Sequence, residues 1–429
     1  MTCDTRAVEH YTLSNGVRAI VAPLPHLRRV CICVLVNVGA RDETPKNNGL
    51  SHFVEHMLFR GSHRYPSPYA LNSAIEEIGG DLYAATHTDF THYQITLPSS
   101  MLEEGIDILA QTIQEPAFGN IELEKEIVRQ ELLGGLDEQG RDIDINNLSR
   151  ELLFAPHPLS FPIAGSLETL ASFTDQDVRH HYQSYYSGSN IVVCLSGALD
   201  PQKALSIVER CFSGMDRRSA PLRKRIPPTW RGPKWKYLPY DDSQSDVRIC
   251  FDCPGELDSQ VVPLQLLARI LDDGMSSRLY RVLCEEQGLV YDVFGALELF
   301  EERGVYDIGV SIEQSKVPIV MQAITALLRD FRNHGLKNGE LEKVKKRWIW
   351  DLESSVDYAE DRAFFFATRA LLSKVDGIDA LTDEIESASS KDIEALSNAL
   401  FVPDRMHAAC IGRLDQDLER RALDALEAL

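Results

Sequence analysis

The chain has 429 residues, 44% hydrophobic and 25% charged, which is the composition of a globular protein and enough length for two or three cores. Its formal net charge of -21 excludes nucleic acid and anionic membrane as natural partners, since both are bound through basic patches, and it permits basic peptides. The start lacks the charged-then-apolar layout of a leader and no run approaches membrane-spanning length, so a cytoplasmic address is expected. The nine cysteines, Cys3, Cys31, Cys33, Cys194, Cys211, Cys250, Cys253, Cys284 and Cys410, are odd in number and lie mostly in apolar runs. They read as free, buried thiols of a reducing compartment, and the lone Cys250-x-x-Cys253 reads as structural.

Taken in order, Thr12 to Pro23 with its Asn15-Gly16 turn and the apolar run Val30 to Val38 read as strands, the second buried on both faces. Gly49 to Phe59 reads as a short helix that is apolar nearly all round, and Ser67-Pro68 opens another that stops at Gly79-Gly80. A strand is expected from Leu82 to Leu97. A helix carrying Leu102, Ile106, Leu109, Ala110 and Ile113 follows it, and then one opened by Asn120. On that last helix Glu124 and Glu131 stand seven apart, sharing a stripe with Ile127 and Val128, so one or both are expected to be buried and to need a cation. The Pro-rich, basic, aperiodic tract 216–235 reads as a linker lying against acidic surface. His180-His181 reads as surface, and His87 and His92 as lying on a solvated strand face.

Beyond the linker the order of elements repeats. Val247 to Cys253 matches the Val30 strand, Pro263 to Ile270 the Gly49 helix, and Gly304 to Ile312 the strand ending at Leu97. Glu340-Leu341-Glu342-Lys343 matches Glu122-Leu123-Glu124-Lys125. The expected domains are therefore 1–215 and 236–429, joined by the linker 216–235. Within the apolar Gly49 helix only His52, Glu55 and His56 carry strong chemistry. His52 and His56, at i and i+4, leave one face about one turn apart, within reach of a single metal ion, and Glu55 lies at the edge of that face. The alternative is a core helix with two satisfied histidines and a stray glutamate. The repeat weighs against it, because the matching second helix, Leu264 to Ile270, has no histidine and Ile349 falls at the position of Glu131.

The spacing His-x-x-Glu-His is the inverzincin signature. With Gly49 to Ser62 around it and Glu131 downstream, the chain resembles the pitrilysin or insulinase-type zinc metallopeptidases, in particular the short two-domain members related to the mitochondrial processing peptidase. That resemblance implies an α+β fold of two homologous domains, each a mixed, largely antiparallel β-sheet flanked by helices. It implies zinc held by His52, His56 and Glu131, Glu55 as general base, and Glu124 orienting a ligand from outside the metal's own shell. A peptide substrate would add as a strand beside Tyr83, Ala84, Ala85 and Thr86, with Tyr83 standing where relatives usually have asparagine. In the second domain Tyr291 would touch substrate, while Cys284 occupies the usual arginine position. Either Arg281, one turn earlier, substitutes for that arginine, or the group comes from another chain, the preferred reading, in a heterodimer with a homologous partner subunit or else in a homodimer. The implied activity is hydrolysis of short or unfolded peptides in a chamber formed with that second subunit. The competing reading is a non-catalytic structural or scaffold subunit.

Overall fold

The computed structural model describes residues 8–223, 234–374 and 377–429. Cys3 and residues 224–233 of the linker tract lie outside the described residues.

The first sheet has six strands: β1 (Glu9–Thr12), β2 (Arg18–Pro23), β3 (Arg29–Val36), β4 (Asp81–Thr86), β5 (Thr91–Pro98) and β6 (Ile191–Gly197). Their order is β1-β2-β6-β3-β5-β4, with β2 and β6 parallel and the other pairs antiparallel. The continuous apolar run of β3 is explained by its place. Val30, Ile32, Val34 and Val36 enter the core beneath the helices α1 (Leu50–Leu58) and α3 (Leu102–Gln114), while Cys31, Cys33 and Leu35 pack under the helix Ala359–Leu371. Both faces are thus covered, as an unalternating strand requires. Helix α2 (Pro68–Glu77) precedes β4, and α4 (Ile121–Gly134) follows α3. The single strand expected from Leu82 to Leu97 is instead a hairpin, β4 and β5, closed by the His87 N–H on the Phe90 carbonyl at 2.8 Å.

The second sheet has the order β7-β11-β8-β10-β9, from β7 (Lys234–Pro239), β8 (Ser245–Pro254), β9 (Phe294–Leu299), β10 (Arg303–Ile312) and β11 (Met406–Gly412). Apart from β1 this is the first sheet repeated strand for strand, including the one parallel pair, β7 with β11. The inferred repeat is therefore a repeat of architecture, and the two mixed, largely antiparallel sheets flanked by helices are the expected fold.

The two compact units are not contiguous halves. The first comprises 1–134, 161–224 and 351–381, and the second 135–160, 225–350 and 382–429. The boundaries read from sequence leave 135–160 with the first half and 351–381 with the second, and packing exchanges them. Helix α5 (Ile145–Phe154) turns Leu148 toward Ala409 and Ile411, and Leu153 and Phe154 toward Cys250 and Val305 of the second sheet. Helix Ala359–Leu371 closes the first sheet. An amphipathic pattern shows that a helix has a core face but not which sheet that face will meet.

Asp307 on β10 stands opposite Cys250, in the second unit, with one carboxylate oxygen lacking a hydrogen-bond partner. Burial, reinforced by Glu298 and opposed by Arg248 and Arg150, pushes its pKa up to about 7 from 3.8. The carboxyl is neutral in the fold to near pH 7 but ionises in the unfolded chain near pH 4, so its contribution to stability is lost as pH rises from 4 to 7. Asp307→Asn should therefore stabilise the protein at pH 8, by on the order of 4 kcal/mol at most, and leave it little changed at pH 4. Urea unfolding at the two pH values checks this; an equal effect at both would refute it.

Candidate active site

Helix α1 begins after Gly49, whose φ of +92° is left-handed and where a Cβ would stand 2.6 Å from the Ala164 carbonyl oxygen. Only glycine fits, so the helix has no capping side chain at its own N-cap. Glu43 supplies the missing acceptor. Its Oε2 accepts from the Gly49 N–H at 2.7 Å and from Asn48 Nδ2 at 2.9 Å, and its Oε1 accepts from the Ser51 N–H at 2.7 Å. Burial raises this carboxyl to about 7, against the three hydrogen bonds that favour its ionised form. From the other side His181, on the helix Asp175–Tyr185, puts Nε2 3.2 Å from Ser51 Oγ. His181 is buried and held neutral, its pKa lowered to about 3 by burial and by His180, so its expected surface placement is wrong.

Downstream on α1 the side chains meet as their spacing requires. The imidazoles of His52 and His56 bring their Nε2 atoms to 3.2 Å, and Glu131 of α4 places Oε1 3.5 Å from His52 and Oε2 3.5 Å from His56. One ligand atom from each of the three lies within 4.8 Å of the others, and among the described residues this is the single such cluster. His56 Nδ1 donates to Glu124 Oε1 at 2.9 Å, which leaves the lone pair on Nε2 facing the cluster. Glu124 is buried, and its second oxygen meets Arg60 at 3.3 Å. Of the two stripe glutamates, then, Glu124 is the buried one that carries a cation, while Glu131 stays half exposed.

Burial, helped by His56, lowers the pKa of His52 to about 3. Burial opposes ionisation of His56 too, but Glu124, Glu55 and Glu131 outweigh it and raise that pKa. Glu55 is buried and its carboxyl raised, chiefly by burial. Thr86 Oγ1 donates to Glu55 Oε2 at 2.7 Å.

Strand β4 is the outer strand of its sheet, so one of its backbone edges lies free of any strand among the described residues. Its four residues expected to bind substrate divide between two faces. Ala84 and Thr86 face α1, whereas Tyr83 turns away and sets its ring 5.3 Å from that of His92. His92 is buried against Phe364 and Cys33, not solvated, and burial lowers its pKa to about 4. In the second unit Tyr291 is 98% exposed. Cys284 lies in a π-helical turn, Arg281–Glu286, in which Arg281 pairs with Glu286 at 3.4 Å.

Residues 20–153 match the model of the insulinase peptidases, family M16, and residues 172–347 match the M16 inactive domain. The chain belongs to peptidase family M16. The inactive-domain match spans the part of this M16 chain that lacks the histidine pair. An uncharacterised zinc protease of Bacillus subtilis, YmxG, is 27% identical over 92% of this chain and 96% of its own. An uncharacterised zinc protease of Mycobacterium leprae is 27% identical over 94% of this chain and 91% of its own. Among solved structures, a protease from Helicobacter pylori superposes with a TM-score of 0.87 at 20% identity, over 94% of this chain and 99% of that one. The periplasmic protease PqqL of Escherichia coli matches with a TM-score of 0.78 at 18% identity, over 98% of this chain but 49% of that one.

Sequence reasoning missed the roles of Glu43 and His181, which reach α1 from other segments, and of Arg60, which follows α1 directly but meets Glu124 on α4, since no local spacing marks these contacts. Replacing Glu43 by alanine leaves three buried donors unmet at roughly 1–3 kcal/mol each. Glu43→Ala should lower unfolding stability by about 3 kcal/mol or more, with Glu43→Gln closer to wild type. A loss under about 1 kcal/mol in urea titration would show that the clamp does not hold the helix.

Proposed function

We propose that this chain is a zinc-dependent endopeptidase of short or unfolded peptides, with His52, His56 and Glu131 as metal ligands and Glu55 as general base. The observation that carries this reading is the convergence of one ligand atom each from His52, His56 and Glu131 within 4.8 Å of one another. Two imidazoles with one carboxylate are a donor set that suits zinc and leaves one of its four positions open. Zinc bound by this set supplies Lewis acidity, polarising a carbonyl oxygen and making water more acidic.

The chain's own groups do the rest. Glu55, whose raised pKa fits a base, takes a proton from the attacking water and passes it to the leaving amine nitrogen. Glu124, itself held by Arg60, fixes the His56 ring and its tautomer. The free edge of β4 pairs with the peptide backbone, giving affinity with loose sequence preference. The side chain of Tyr83, directed toward His92 and away from His52 and His56, leaves that backbone pairing unobstructed on the metal side.

We read the working unit as a chamber closed with a second subunit, either a homologous partner carrying the arginine absent at Cys284 or a second copy of this chain. The match to about half of PqqL supports a chain that supplies one half of such a chamber. The eight described cysteines are all free thiols, which supports a cytoplasmic address; among the described residues no helix is long and apolar enough to cross a membrane.

The purified chain should hold about one zinc per chain and cut an internally quenched peptide library. Glu55→Gln should keep the zinc and lose roughly 10²–10⁴-fold in rate. Glu124→Ala should weaken zinc binding roughly 10–100-fold. Wild type without zinc would overturn the peptidase reading and favour a scaffold. Zinc without cleavage by the isolated chain, restored by a partner subunit, would assign the missing arginine to that partner.

A further inference from the structure

We propose that Thr86 is a positioning residue that couples the peptide-docking strand to the base, so that β4 both receives the substrate and aims Glu55. This rests on the base role proposed for Glu55. The motivating observation is that Thr86 Oγ1 donates to Glu55 Oε2 at 2.7 Å. Both residues are buried, at 8% and 7% exposure, so water does not take the place of that bond.

A glutamate side chain has three rotatable bonds, the last broad and shallow, and the helix fixes only the first. The Thr86 hydroxyl holds the terminal torsion, which decides where the remaining lone pairs point. Thr86 is itself immobilised. It ends β4 opposite Thr91 of β5, and the Thr91 hydroxyl donates to the Val38 carbonyl at 2.8 Å. Ala84, two residues earlier on the same face, packs into the core with α1. The base is thus attached to the strand whose outer edge stands open. A peptide that pairs with that edge steadies the strand and the base together, and a misplacement of about 1 Å at a reacting centre costs on the order of 10²-fold in rate. Valine has the shape of threonine and lacks only the donor, whereas serine keeps the donor and lacks the methyl group. The two substitutions separate aiming from packing.

The test compares wild type with Thr86→Val and Thr86→Ser for zinc content, melting temperature, and kcat and KM on a quenched peptide. Thr86→Val should keep about one zinc and a KM within about twofold while kcat falls about tenfold or more. Thr86→Ser should recover most of the loss. A rise in KM at unchanged kcat would make Thr86 a substrate contact and overturn the proposal. Loss of zinc, or no recovery with serine, would make its role structural and overturn it as well. A cycle of melting temperatures for Thr86→Val, Glu55→Ala and the pair tests the bond without any turnover. Thr86→Val should lower the melting temperature in wild type and leave it unchanged once Glu55 is alanine. Additive shifts would overturn the coupling even in a chain that cuts nothing. Coupled melting temperatures with no cleavage by wild type, either alone or with a partner subunit, would instead retain the bond and refute the peptidase reading on which its catalytic meaning rests.

Discussion

The first unit depends on placing two imidazoles and two carboxylates inside a core. Unpaired charge there costs several kcal/mol per group, comparable with a large share of a domain's net stability. Three of the four are answered from other segments, His56 by Glu124 of α4, Glu124 by Arg60, and Glu55 by Thr86 of β4, while the Nδ1 of His52 has no hydrogen-bond partner. The helix that carries them is clamped at its start by Glu43 and flanked by His181. Polar groups fixed in this way also specify one arrangement of α1, β4 and α4, since moving any of these elements breaks a buried bond.

His52, His56 and Glu131, with one ligand atom of each within 4.8 Å of the others, are the group that a bound cation would satisfy. Glu131 differs from its neighbours in staying half exposed. In the proposed metal site a ligand at the solvent margin would leave room for substrate, while the buried Glu124 holds the ring of His56 from behind.

The second unit shows what the same strand order does without this constraint. Its helix Val261–Leu271 stands in the sequence place of α1 and fills its core face with Leu264, Leu266, Leu267, Ile270 and Leu271. Its buried charge lies elsewhere, around Arg248 and Asp307 on β8 and β10. The fold therefore stands without the histidines, so their presence in the first unit is not a requirement of packing. The linker's basic character has a structural use at Arg223, which donates to both carboxylate oxygens of buried Asp42 at 3.0 Å, next to the Glu43 clamp.

By itself the sequence determined the features that repeat at short range. The i, i+4 histidines, the glutamate between them, the continuous run of β3 and the shared Glu-Leu-Glu-Lys segments gave the helix with its paired imidazoles, the buried central strand and the duplicated architecture, because helical and strand periods are local. It did not show the break of 82–97 into a hairpin, since His87 to Phe90 carries no Gly, Pro or Asn-Gly turn signal. Nor did it show that His92 and His181 are buried, that Glu43 clamps α1, or that α5 and Ala359–Leu371 exchange between the units. Tertiary structure decided these, because a side chain's partner across dozens of residues is set by which surfaces meet, and spacing along the chain holds no record of that.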